Sequence, residues 1–158
     1  MLIRDAVLSD YDAVDEMLRD LGRIHKENVP GDFSYAEHTY TEEQFEDMIS
    51  SEDNILICAE EDGKTVGYCH LMVRESCDIT DELSVHVAYI VVDGEYRGRG
   101  IARALMAESE RRAKETEAKQ FNLQVWDFNT GAKKLYESFG MTYKESGLPY
   151  RTFMIKEI

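Results

Sequence analysis

The sequence predicts a mixed α/β fold in which one sheet is covered by helices on both faces. Three observations carry this. Hairpin-linked strand patterns fill the middle of the chain, and strands then alternate with helices toward the C-terminus. The run LSVHVAYIVVD at residues 83–93 also becomes apolar on both faces toward its end, as a covered central strand does.

Taken in order, residues 2–7 alternate weakly and read as a short strand. Ser9 or Asp10 can cap a helix whose apolar positions Val14, Met17, Leu18, Leu21 and Ile24 follow the 3.6-residue period. Pro30 and Gly31 end it. Thr41, followed by Glu43 and Gln44, opens a second helix with Phe45, Met48 and Ile49 inward. Residues 54–60 and 64–75 read as strands joined by the hairpin signal EEDGK, and 76–82 as a polar connection. After the central strand come a helix from about 99 to 118, a strand at 120–126, a helix from Asn129 to Phe139, and strands near 141–145 and 150–157. The total is about seven strands and about four helices. No linker, repeat or low-complexity tract interrupts the 158 residues, so 1–158 reads as one domain.

Composition narrows the function classes. Apolar content of 43% and charged content of 32% are globular values. No window nears the roughly 18 apolar residues of a membrane span, and the N-terminus lacks signal-peptide zones. The expectation is a cytoplasmic protein with no membrane association. Cys58, Cys69 and Cys77 are odd in number and form no CxxC, which points to free thiols. His25, His38, His70 and His86 show no metal-ligand spacing, so no metal is expected. With 32 acidic against 18 basic residues, the net charge of −14 argues against nucleic acid. The commoner meaning of such a surplus is solubility; it could also draw a cationic amine toward a cleft. Against this background the cluster Arg97, Arg99, Arg103, Arg111, Arg112 and Lys114 stands out.

The cluster begins in EYRGRGIA at residues 95–102, where the central strand gives way to a helix. Such a helix start presents unpaired N–H groups and a positive dipole end. Glycines at 98 and 100 would let an anion reach that backbone, as in a pyrophosphate cradle. A P-loop would need GxxxxGK[ST], which is absent; a dinucleotide fingerprint would need a small residue where Arg103 stands. A Gly-rich turn with no ligand is the bland alternative.

The segment VDGEYRGRGIARALM at 92–106 resembles motif A of the GCN5-related N-acetyltransferases, the GNAT superfamily. Arg97, Gly100 and Ala102 match its [RQ]-x-x-G-x-[GA] signature. Downstream, WDFNTGAKKLYESFGM at 126–141 is similar to the family's second cofactor segment, with Asn129, Ala132, Tyr136 and Gly140 in the matching positions. The resemblance implies a GNAT-like acyl-CoA N-acyltransferase fold: a mostly antiparallel sheet with a splayed central pair. It implies acetyl-CoA as co-substrate and an amine as acceptor. The pyrophosphate would lie on the N–H groups of Gly98, Arg99, Gly100, Ile101, Ala102 and Arg103. The backbone of Ile90, Val91 and Val92 would pair with the pantetheine arm. Asn129 would lie near the CoA arm and Tyr136 near its sulfur, as acid or hydrogen-bond donor to the departing thiolate.

The family's base is less legible, because Ala88 and Tyr89 occupy the positions where relatives carry acidic residues. By simple alternation His86 shares a side with Ala88, and its pKa suits a base; Glu82 is a second candidate. Residues 25–35 lie where relatives build an acceptor-side loop. The leading reading is an acetyl-CoA-dependent N-acetyltransferase for a small-molecule or peptide amine. The alternative is a non-catalytic acyl-CoA-binding module, and a nucleotide-dependent oxidoreductase comes third. Whether the chain pairs as a homodimer, and whether the acyl group is acetyl or longer, the sequence leaves open.

Overall fold

The computed structural model of the chain describes residues 1–29, 31, 37–74, 82–144 and 150–158. Among these residues seven strands form one sheet: β1 (Leu2–Asp5), β2 (Asn54–Glu61), β3 (Lys64–Arg74), β4 (Ser84–Val92), β5 (Gln120–Trp126), β6 (Thr142–Lys144) and β7 (Arg151–Glu157). The helices are α1 (Tyr11–Asn28), α2 (Glu42–Ile49), α3 (Ile101–Glu115) and α4 (Thr130–Ser138). The strand order is β1-β2-β3-β4-β5-β7-β6. Every neighbouring pair is antiparallel except β4 and β5. That parallel pair needs a crossover, which α3 supplies.

Strand alternation sends side chains into two cores. On one face Cys69, Leu71, Val85 and Phe121 pack with Leu105 and Met106 of α3 and Tyr136 of α4. On the other, Leu56, Cys58 and Tyr68 pack with Val14 and Leu18 of α1 and Phe45 of α2. The helices therefore cover both faces, as the patterning predicted. Gly67 sets how closely α3 approaches: a Cβ there would stand 2.8 Å from Ile101 Cγ2 and 3.1 Å from Leu105 Cδ1.

Three local expectations are corrected. The third helix begins at Ile101 rather than near residue 99, because Gly100 takes the N-cap with φ +83. Its left-handed backbone cannot continue a right-handed helix backward. The simple alternation invoked for β4 is broken by a bulge: Leu71 pairs with Val87 and His70 with Tyr89, which leaves Ala88 extra. Beyond it Tyr89 and Val91, not Ala88, pack on the α1 side.

Neither is Asp10 a side-chain cap of α1. Its carboxylate, 3% exposed, accepts from Arg4 at 2.7 and 2.9 Å, from the Val7 amide at 2.9 Å, and from the Thr65 hydroxyl. Burial alone would raise this carboxyl, but the hydrogen bonds from Arg4, Thr65 and Val7 overturn that and hold it at about 2. A folded-state value below the unfolded one stabilises the fold at neutral pH, and the contribution drains away as pH falls from about 4 through about 2. Asp10→Asn should cost about 2 kcal/mol at pH 7. In urea titrations the variant should lose less stability than wild type across that acid window; equal losses would refute the assignment.

Candidate active site

β4 and β5 pair only over Ser84–Val87 and Gln120–Leu123. Past Val87 the two strands separate, and cavities open on either side of the gap. The larger, about 770 Å³, runs from Ile90, Val91 and Val92 to the start of α3 and on to α4. The smaller, about 440 Å³, lies toward the outer ends of β3, β5 and β7. Ile90, Asn129 and Tyr136 line both, so the cavities meet there.

At the α3 end, Gly98 and Gly100 have φ of +77 and +83, and a Cβ on either would meet nothing within 4 Å. The first backbone donation of the helix is from Ala104 to the Gly100 carbonyl, at 3.0 Å. Among the described residues this leaves the N–H groups of Ile101, Ala102 and Arg103 without a backbone acceptor. Arg97 and Arg103 line the cavity beside them; Arg97 donates to the Val92 carbonyl and Arg103 to Ser138 Oγ. The arrangement can receive a multiply charged anion.

The sequence profile of the Acetyltransferase (GNAT) family matches residues 18–141. The chain belongs to this family. An uncharacterized N-acetyltransferase of the pepI 3′ region from Lactobacillus delbrueckii subsp. lactis is 26% identical over 119 residues, 74% of this chain and 69% of that protein. A mutant of the BH1408 protein from Bacillus halodurans superposes with a TM-score of 0.84 at 23% identity, over 94% of this chain and 97% of that one. The PaiA N-acetyltransferase from Thermoplasma acidophilum, solved with coenzyme A, superposes with a TM-score of 0.80 at 18% identity, over 99% and 98%. The mixed seven-stranded sheet with four helices is thus the GNAT fold.

Within this GNAT fold, Arg99 is the one residue of 97–103 that does not line the cavity. Its guanidinium lies over the Tyr96 ring at 4.7 Å, donates to the Glu95 carbonyl and faces Glu61. Further along the arginine cluster, Arg111, Arg112 and Lys114 pair with Glu108, Glu115, Asp5 and Glu110 on the outer surface of α3. Those glutamates at i±3 and i±4 were the signal, available in the sequence, that these cations serve the helix itself.

Tyr136 is 5% exposed, and burial pushes its phenol well above the usual value, with the nearby Cys69 adding to the effect. Asn129 caps α4: its Oδ1 accepts from the Ala132 amide at 3.0 Å, so any ligand would meet the remaining groups of its carboxamide. His86 lines the smaller cavity and contacts Asn122 Oδ1 through Nδ1 at 2.7 Å. With that oxygen accepting, Nδ1 holds the proton and Nε2 keeps its lone pair. Burial lowers the His86 pKa; the Asn122 bond opposes this and the Arg74 charge adds to it. The ring is neutral at pH 7. Glu82 is exposed at the foot of β4 and lines neither cavity.

The structure also brings in residues not singled out for the site. Leu21 and Ile24, expected in the core, line the larger cavity together with Phe128. Arg74, Gln124, Trp126 and Arg151 line the smaller one. His25, from the start of the expected acceptor loop, lines both and packs against Trp126 and Phe128 at 5.4 and 5.8 Å. Pro30 and residues 32–35 of that loop, like Cys77, lie outside the described residues. Burial pushes the Cys69 thiol up to about 12 and the Cys58 thiol also upward, so neither is a nucleophile at neutral pH. Among the described residues no group of three or more His, Cys, Asp or Glu is placed to hold a metal, and no helix is long and apolar enough to cross a membrane.

Proposed function

We propose that this acetyltransferase moves the acetyl group of acetyl-CoA directly to a primary amine of a small molecule or peptide, in a ternary complex. The observation that carries this is the meeting of two cavities at the gap between β4 and β5, with Tyr136 on the wall of both. CoA would occupy the larger cavity, its pyrophosphate on the N–H groups at 98–103 beside Arg97 and Arg103. Its pantetheine arm would lie along Ile90–Val92, near Asn129. The amine would enter from the smaller cavity.

The amine nitrogen then attacks the thioester carbonyl, the C–S bond breaks, and the thiolate leaves. Tyr136 would donate a hydrogen bond to the sulfur as charge develops. His86, neutral with a free Nε2, would take the amine's proton directly or through water. The reading treats residues 1–158 as one unit acting in the cytoplasm, and Cys58 and Cys69, both free and buried, fit that compartment. Calorimetry with acetyl-CoA followed by a thiol-release assay over an amine panel tests it. Binding with no thiol released by any amine would favour a non-catalytic acyl-CoA-binding module.

A second expected result concerns the base. Because burial lowers the His86 pKa, the base stays competent until pH falls below the ordinary histidine value of about 6.5. The kcat/KM profile should show an acidic limb with its midpoint under that value. His86→Gln should remove the limb and lower kcat about 100-fold. A variant that keeps both rate and limb would exclude His86.

A further inference from the structure

Among the described residues, the smaller cavity carries a lining charge opposite to that of the chain. Its described lining holds two guanidiniums, Arg74 and Arg151, and two histidines, with no aspartate or glutamate. Arg74 closes β3 and is half-buried. Among the described residues its guanidinium has one hydrogen-bond partner, the Met72 sulfur at 3.1 Å, and no carboxylate pairs with it. A thioether is a weak acceptor, so among the described residues most of the five N–H donors of this fork remain unmatched. Arg151 stands at the start of β7, its guanidinium stacked 4.1 Å from the Trp126 ring centre. The Arg74 charge depresses His70 and His86, and that of Arg151 depresses His25, after burial in each case. Both cations line the same cavity as His25 and His86.

We propose that the acceptor amine carries a carboxylate, bound by Arg74 with Arg151 on the same cavity, so that the substrate is a small amino acid-like molecule. This rests on the acetyl-transfer reading above. A guanidinium fork matches a carboxylate with two parallel N–H···O bonds. A cavity of about 440 Å³ fits a small molecule. The net charge of −14 pointed instead to a cationic acceptor. That field comes from the surface and is screened over about 8 Å at physiological salt, whereas the guanidiniums line the cavity itself.

The test pairs each carboxylate with its own carboxamide: glycine with glycinamide, β-alanine with β-alaninamide, phenylalanine with phenylalaninamide. Putrescine and spermidine serve as cationic acceptors. Thiol release from acetyl-CoA gives kcat/KM for each. Trp126, the chain's single tryptophan, gives a second readout by fluorescence titration of the CoA-bound protein, independent of turnover. Carboxylates should lead their carboxamides by about 30-fold or more. Arg74→Gln should collapse that ratio toward one, and Arg74→Lys should leave it between the two. Should the Gln variant not fold, the wild-type ratio and the Lys variant still decide. Faster turnover of carboxamides or polyamines, or an Arg74→Gln ratio equal to wild type, would overturn the proposal. A fluorescence response to carboxylates alone, with no thiol release from any amine, would uphold the anion site while ending the acetyl-transfer reading. Silence in both readouts would overturn the proposal itself.

Discussion

Gly100→Glu should abolish measurable CoA binding, with a loss of affinity of at least about 100-fold, or about 3 kcal/mol. Gly100 caps α3 with φ +83, and the space beside it is open: a Cβ there would meet nothing within 4 Å. The carboxylate would therefore fit the empty protein and stand where the N–H groups of Ile101, Ala102 and Arg103 await an acceptor. It would compete for those donors and repel the pyrophosphate. A side chain in left-handed backbone costs about 1–2 kcal/mol, partly offset by a negative charge at a helix N-terminus. The domain should still fold. Gly100→Ala carries the same backbone strain without the charge, so it separates the two effects: calorimetry should find alanine within about tenfold of wild type and glutamate far weaker. A folded glutamate variant that binds CoA as wild type does would remove the pyrophosphate from this helix start.

How much of this was legible in the sequence depended on whether the determinants were local. The apolar periods of α1, α2 and β5 and the capping box at Thr41 and Gln44 are written in consecutive residues, and these elements fall where the patterning put them. RGRG was legible for the same reason: the left-handed turns that open the start of α3 need glycines a few residues apart. The Ala88 bulge was not, because it exists only in the register between β3 and β4. Asp10 could not be told from a helix cap, since Arg4 lies near in sequence but Thr65 arrives from a hairpin 55 residues away. The smaller cavity was the least legible part. Arg74, Trp126, Arg151 and His25 come from four separate elements, brought together by the register that sets Trp126 opposite Arg151, by the packing of His25 on Trp126, and by the gap between β4 and β5. Net charge, a property of the whole surface, carries no information about the charge those residues gather at one cavity.

Tyr136→Phe should lower kcat about 100-fold while leaving acetyl-CoA affinity within about twofold. The ring belongs to the buried cluster with Cys69 and Met141, so removing only the hydroxyl keeps the packing. The sequence alone suggested a phenol near pKa 10 giving its proton to a thiolate near 8.5, uphill by about 2 kcal/mol. Burial, helped by Cys69, raises this phenol further, so complete proton transfer becomes steeper and hydrogen-bond donation to the developing thiolate the better role. Such a contact forms mainly in the transition state, and its loss lowers kcat rather than ground-state binding. Losing one donor of this kind costs about 100- to 1,000-fold, and a thiolate is a fair leaving group, which favours the lower end. The same burial moves the alkaline limb of an ordinary phenol out of reach: the wild-type rate should show no fall attributable to Tyr136 up to about pH 10. Steady-state rates from pH 6 to 10, with calorimetric affinities on both proteins, decide the matter. A folded phenylalanine variant with wild-type kcat would make Tyr136 a core aromatic and nothing more.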